Sequence, residues 1–454
     1  MSVIIMDVIR IYGRERELSL LRRLREPFLA VVYGRRRIGK TALVLKFLEG
    51  RPHLYLFVNP RKPPRLLLEE YGEAVKRAAG LPPYVRFQSW EELFDALFSL
   101  RGYVVAFDEF QWFLEAAPEV PYILQKMWDV RREKPSFIVT GSVVGMVKRL
   151  VAESGSPLFG RADLVLELGE LPPSAVFQWL GDMGVSGEEA LRLYLLFGGV
   201  PYYYRLAERW GVRTAEEAVR ALVAGEGAPL RDEVERVLAE SLGGQYRTHL
   251  AILDAVAGGA TKLEQIASHA GVKATSLPPY MHELTDVLHV LERRRGRRTY
   301  YELRDRFYAF WLRAIYRRRE TTPEHRLADE AAAALEDFYP WAFEALVRDV
   351  IPHLYPVPKA TREVVAVRSG GRRVHVEVDA FARNEEERLA VLAEAKWGRA
   401  DPAQILPKLR AAAQALVPPG WRVKYAIFAR EFARGAEEAD LIDLQTLIQK
   451  LKNI

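Results

Sequence analysis

Residues 34 to 41 read GRRRIGKT, two glycines around a short basic run that closes on Lys-Thr. The spacing suits a loop folded tightly around phosphate. Gly34 and Gly39 free the backbone to turn its N–H groups inward, and the Arg35, Arg36, Arg37 and Ile38 amides lie between them. Lys40 is placed to reach the β- and γ-phosphates, the Thr41 hydroxyl to bind Mg²⁺, and Thr41 and Ala42 to open a helix whose dipole favours anions. The three loop arginines either meet phosphate or carry charge at an exposed tip.

Sixty-eight residues beyond Lys40 comes YVVAFDEF, four apolar residues that deliver Asp108 and Glu109 to the end of a strand. Asp108 is suited to the Mg²⁺ shell and Glu109 to orienting and polarising an attacking water. The run FIVTGS ends at Ser142, two residues past Thr140; either hydroxyl could sense a γ-phosphate or simply terminate a strand. Arg161, in LFGRAD, is a candidate charge-stabilising finger, acting within its own chain or from a neighbour in a homo-oligomer; Arg149 is a lesser candidate.

A second set of acids lies near the carboxyl end. In RRVHVEVDAF, period-two alternation puts Val374, Val376 and Val378 on one face and His375, Glu377 and Asp379 on the other. In RLAVLAEAKW it puts Leu392, Glu394 and Lys396 together, opposite Ala393, Ala395 and Trp397. A hairpin of these strands would set Asp379 beside Glu394 and Lys396. Two carboxylates sharing Mg²⁺, with a Lys to stabilise developing charge, suit metal-assisted phosphodiester hydrolysis; a salt-bridged sheet face is the alternative. Glu344, in the preceding helical stretch, is spaced to pair with Arg348 one turn on.

The elements that must position these residues are legible in the periodicity. Apolar runs at Phe28 to Tyr33, Leu54 to Val58, Tyr103 to Phe107, Phe137 to Thr140 and Leu164 to Leu168 alternate with helical stretches, which predicts a parallel sheet covered on both faces. The strand at 54–58 falls between the two nucleotide motifs, the mark of P-loop ATPases with an extra catalytic glutamate. Helical periodicity takes over from Pro172 to about Leu242. Short helices then lead into VLERRRGRRTYYEL, which reads as a basic hairpin, the order of a winged helix. Its tip, Arg293, Arg294, Arg295, Arg297 and Arg298, would offer DNA a phosphate-contacting surface or stand solvated. In FYAFWLRAIYRRR the Phe and Trp positions are expected in the core. After Pro323 a helix, three strands, a helix and a strand follow.

Composition narrows the class. The 454 residues suggest about three domains, 49% are hydrophobic and 28% charged, and no apolar run approaches a membrane span. The amino terminus lacks the pattern of a signal peptide, so a cytoplasmic location is expected. The chain has no Cys, which removes disulfides and thiolate metal sites. Only three Asn occur, and scarce Cys and Asn fit a heat-adapted source. Of 66 basic residues 51 are Arg, and Glu292 to Arg319 hold eleven Arg against three acids, a local +8 in a chain of net +6. The basic character is therefore one patch, as a local anionic partner requires.

Taken together, IYGRERELSLL, GRRRIGKT, VVAFDEF, FIVTGS, LFGRAD and FGGVPYYY resemble the archaeal ATPase family, relatives of the AAA+ and signal-transduction ATPases, over residues 11 to about 320. The resemblance implies that Tyr12, Gly13 and Arg14 lie near the adenine and that Gly199 and Pro201 close a helical lid over ATP. The D…ExK pattern of residues 335 to 430 resembles the PD-(D/E)xK nucleases, with Glu344, Asp379, Glu394 and Lys396 at their acid and lysine positions; Val378 stands where a proline is usual. The expected fold is α/β: an ATPase core (1–170), a helical lid (171–243), a winged helix (244–322) and a restriction-endonuclease-like domain (323–454). The expected function is an ATP-hydrolysing switch or remodeller acting on DNA, or a regulatory ATP-binding protein whose last domain only docks a partner or DNA.

Overall fold

A computed structural model describes residues 10–151, 155–295, 299–369 and 372–454. The chain divides into two compact units, one ending at Leu171 and one running from Pro172 to Ile454.

In the first unit five strands, β1 (Leu29–Tyr33), β2 (His53–Phe57), β3 (Val104–Asp108), β4 (Ser136–Gly141) and β5 (Leu164–Glu167), form a parallel sheet in the order β2-β3-β4-β1-β5. β1, β3 and β4 are buried along their whole length, which is why they read as unbroken apolar runs. Ala30 and Val32 of β1, Ala106 of β3 and Ile138 of β4 pack with Leu43, Val44 and Phe47 of the helix Lys40–Leu48. On the other face Phe107 lies among Tyr71, Phe94, Phe110, Phe113 and Phe137, with ring centroids 5.7 to 6.3 Å away. Losing one such buried ring costs about 3–5 kcal/mol, so this cluster clamps the strand that ends at Asp108. The strand standing between the two motif strands in space is β4, not β2, which lies at the edge.

The second unit begins all-helical, from Pro173–Asp182 through Glu233–Leu242. Tyr246–Ala257, Leu263–His269 and Leu277–His282 follow, and then β6 (Leu291–Arg295) pairs antiparallel with β7 (Thr299–Leu303). Phe307, Phe310 and Trp311 are fully buried, as the sequence predicts. After the helix Leu335–Leu354, β8 (Thr361–Ser369), β9 (Arg372–Asn384) and β10 (Leu389–Ala400) form an antiparallel run, joined in parallel by β11 (Arg422–Phe432) and β12 (Ala439–Asp443).

Two expectations need correction. Strict alternation fails in β9: the register with β8 slips so that Glu363 faces Val378 but Thr361 faces Phe381, and Val378 and Phe381, three residues apart, share one core. Asp379 therefore sits in a β-bulge, a device that re-aims a side chain. The other concerns Arg294. Instead of standing at a basic tip it is 7% exposed, ion-paired with Glu302 and Glu292, and donates from Nη1 to the Ala360 carbonyl at 2.9 Å. Strand alternation turns it inward, where an unpaired charge would be costly. It is not part of a phosphate-contacting surface. Arg293 and Arg295 are exposed; Arg297 and Arg298 lie outside the described residues.

Candidate nucleotide site

At the carboxyl edge of the first sheet, Tyr33 of β1 leads into the loop Gly34–Gly39. Gly34 has φ 154°, and a Cβ there would meet the Leu168 carbonyl oxygen at 2.4 Å, so only glycine fits. Gly39, at φ 94°, caps the helix Lys40–Leu48 without a side-chain bond, which leaves that end's amides directed into the loop. Arg14 braces the loop from behind: its buried guanidinium donates to the Ile38 carbonyl at 3.1 Å and to the Gly169 carbonyl at 2.6 Å. Arg35 pairs with Glu170 at 2.9 Å, so one of the three loop arginines is committed to the scaffold. Tyr12 is buried, with the Arg10 guanidinium 5.0 Å over its ring.

Lys40 is buried, and Nζ donates to the carbonyls of Gly34 at 2.9 Å and Arg35 at 3.2 Å. Burial pushes its pKa down, against the pull of Glu109 and Asp108. Thr41 Oγ1 donates to Asp108 Oδ2 at 2.9 Å, so the two expected Mg²⁺ ligands meet. The Tyr55 hydroxyl donates to the same oxygen and the Thr140 hydroxyl to Oδ1. Ala42 is half-buried one residue further along the helix.

Glu109 takes left-handed backbone geometry, φ 59° and ψ 40°, uncommon for a residue with a Cβ. Its amide donates to Thr140 Oγ1 at 3.3 Å; its Oε2 accepts from Ser142 Oγ at 2.5 Å and Gln111 Nε2 at 2.6 Å. Gln111 is fully buried, and its Oε1 has no partner among the described residues. Sequence reasoning missed Tyr55 and Gln111. Gln111 had a signal, as the one polar residue in the aromatic run Phe110 to Phe113; Tyr55 had none before the sheet order was known.

Arg161 is not brought to this edge. Asp163 donates from its amide to the Leu29 carbonyl, at the start of β1, while the phosphate loop follows its end. Four strand steps at ~3.3 Å separate the two edges by about 13 Å. Arg161 there makes a two-pronged pair with Asp129, at 2.8 and 2.7 Å. The reading of it as a finger within its own chain is thus corrected. Arg149 is exposed on the helix Val144–Val151.

In the second unit Pro201 opens the helix Pro201–Arg209, and Gly198, at φ 59°, ends the helix before it. There the sheet brings Asp379 and Glu394 to neighbouring positions. Asp379 Oδ2 accepts the Ala395 amide at 2.8 Å, and both Glu394 oxygens accept from Lys408 Nζ, at 2.6 and 2.7 Å, with Lys396 Nζ 2.7 Å away. Glu344 is pushed up to about 7, by burial first and then by Asp379, and Asp379 is itself raised by burial and by Glu394. Arg348 donates to the Asp379 carbonyl at 3.1 Å and to Glu302 at 3.4 Å. Among the described residues no three or more His, Asp or Glu converge closely enough to hold a metal ion. Lys408, which neutralises Glu394, was also missed.

The strand order and the glycine-bounded loop at the end of β1 define the first unit as a P-loop nucleoside-triphosphatase fold. A Walker-type ATPase of Pyrococcus abyssi superposes with a TM-score of 0.52 at 20% identity, over 67% of this chain and 96% of its own. An uncharacterized protein of Methanocaldococcus jannaschii is 26% identical over 388 residues, 81% of this chain and 82% of its own. The Aeropyrum pernix ORC1 protein, solved in complex with DNA, aligns with a TM-score of only 0.36 at 19% identity. No protein-family model matches the chain. No helix among the described residues is long and apolar enough to cross a membrane.

Proposed function

We propose that the chain is a Mg²⁺-dependent, cytoplasmic ATPase that works as a molecular switch or remodeller on DNA. The observation that carries the ATPase reading is the convergence of Thr41 and Asp108, 2.9 Å apart, beside Lys40 and Glu109 at one sheet edge. The residues fit the groups they are expected to hold. The loop amides and Lys40 bind and orient the phosphates, Thr41 and Asp108 hold Mg²⁺, and Glu109, steadied by Ser142 and Gln111, positions water. Mg²⁺, when bound, supplies charge neutralisation on the phosphate oxygens. Arg161 then serves as a finger only toward a neighbouring copy, and Tyr12, Arg14 and Pro201 belong to the nucleotide's surroundings, Arg14 as a brace. Residues 171–243 act as the lid, 244–322 as a winged helix whose exposed Arg293 and Arg295 meet DNA, and 323–454 as a nuclease-like domain.

The test is Glu109→Gln. ATP affinity should be retained while turnover falls by about 10²–10⁴. Unchanged turnover would sink the catalytic assignment.

For the last domain a second reading is favoured by one observation: both Glu394 oxygens are taken by Lys408. A carboxylate so neutralised is a poor metal ligand. On that reading the domain docks DNA or a partner without cutting it.

A further inference from the structure

A cleft of about 620 Å³ opens within the second unit, between β7, the turn at Gly259–Lys262, and the face of β8 and β9. Lys262, Arg362, Arg373 and His375 line it with Tyr300, against one carboxylate, Glu363. Glu363 is buried and accepts from the Thr361 hydroxyl at 3.1 Å, so its charge is turned away from solvent. The walls are tied together by hydrogen bonds. The Arg362 amide donates to the Tyr300 hydroxyl at 2.9 Å, and the Tyr301 amide to the Thr261 carbonyl at 2.9 Å. The gap is therefore built. Arg362 also pairs with Glu377, two residues along β9 from Asp379.

We propose that this cleft binds a single nucleic-acid strand, its phosphates on Lys262, Arg362 and Arg373 and a base against Tyr300. The inference rests on the nucleic-acid reading of the second unit and deepens it by naming the path and the form of the ligand. Basic groups along a groove with an aromatic side chain within it are the usual composition of a strand-binding channel. Its volume suits a nucleotide or two and excludes a duplex, which would meet only the rim. The cleft lies on the face of β8 and β9 that carries Arg362, Arg373 and His375, so a strand seated in it runs along that face.

The test measures binding of a labelled oligothymidine to the full chain across a salt series, with a blunt duplex beside it. The paired variant Lys262→Ala with Arg373→Ala removes two exposed cations and leaves the core alone. Single-strand affinity should fall at least roughly tenfold, with the log–log salt slope shallower by about 1.4, two contacts at ~0.7 each. Duplex affinity and ATP binding should hold. Single-strand binding unchanged in this variant, yet lost in Arg293→Ala with Arg295→Ala, would overturn the cleft and leave the DNA reading standing. Absence of binding to either DNA would overturn both. Equal losses for strand and duplex would overturn the strand preference.

Discussion

Glu109 and Glu344 show two ways in which single carboxylates are conditioned. Glu109 is conditioned by geometry: a left-handed backbone, costing about 1–2 kcal/mol for a residue with a Cβ, is tolerated because three neighbours hold it. Gln111→Ala should therefore lower turnover with little effect on ATP affinity, a kcat loss without a KM change, read by steady-state kinetics. An equal loss in affinity would mean that Gln111 shapes the pocket and not the water. Glu344 is conditioned by burial. Its folded pKa of about 7 lies above its ordinary value of 4.5. Between those values the folded chain holds a proton that the unfolded chain has released, so stability falls as pH rises through this window. Glu344→Gln removes that dependence. Its melting temperature relative to the parent should climb from pH 5 to pH 8, by the equivalent of roughly 2–3 kcal/mol. A constant difference across that range would show that the carboxyl is not perturbed.

Among elements, the phosphate loop depends on a brace from outside itself. Arg14 spans from the Ile38 carbonyl to the Gly169 carbonyl, so it locks the loop to the segment after β5. Arg14→Met keeps much of the packing but leaves two carbonyls unsatisfied, at a cost of about 2–4 kcal/mol. ATP affinity should drop with stability, and calorimetry of the variant would reveal an uncoupled role if affinity held. The loop and the five strands around it were legible in the sequence because their signals are local: a glycine spacing, apolar runs of strand length, a Lys-Thr at a helix start. The bracing role of Arg14 carried no such local signal, since its partners are 24 and 155 residues away. The bulge at Asp379 was hidden for a related reason. Alternation describes an isolated strand, whereas the slip at Thr361/Glu363 is a property of a pair. Placing Arg161 failed because a motif's proximity in sequence says nothing about which end of a parallel strand it meets.

At the scale of the molecule, the +8 segment is two things rather than one. Arg293 and Arg295 face solvent, while the buried Arg294 joins Glu302, Asp349 and the Ala360 carbonyl in a knot that ties the hairpin to the last sheet. Arg294→Ala should destabilise the chain by about 3–5 kcal/mol, seen as a lower melting temperature, whereas Arg293→Ala should leave stability within about 0.5 kcal/mol. DNA incubated with the full chain and Mg²⁺ should stay intact. Cleavage that disappears in Asp379→Ala would instead make the last domain a nuclease. The knot around Arg294 belongs to a wider habit: Arg14, Arg294, Arg317 and Arg348 each fasten a main-chain carbonyl elsewhere in the fold. A guanidinium keeps its proton at any pH a cell reaches, and its flat fork grips two acceptors at once. The bonds of these arginines to main-chain carbonyls therefore have no titrating partner on either side. The pH dependence predicted at Glu344 is thus set within a frame fastened by groups that hold their protons.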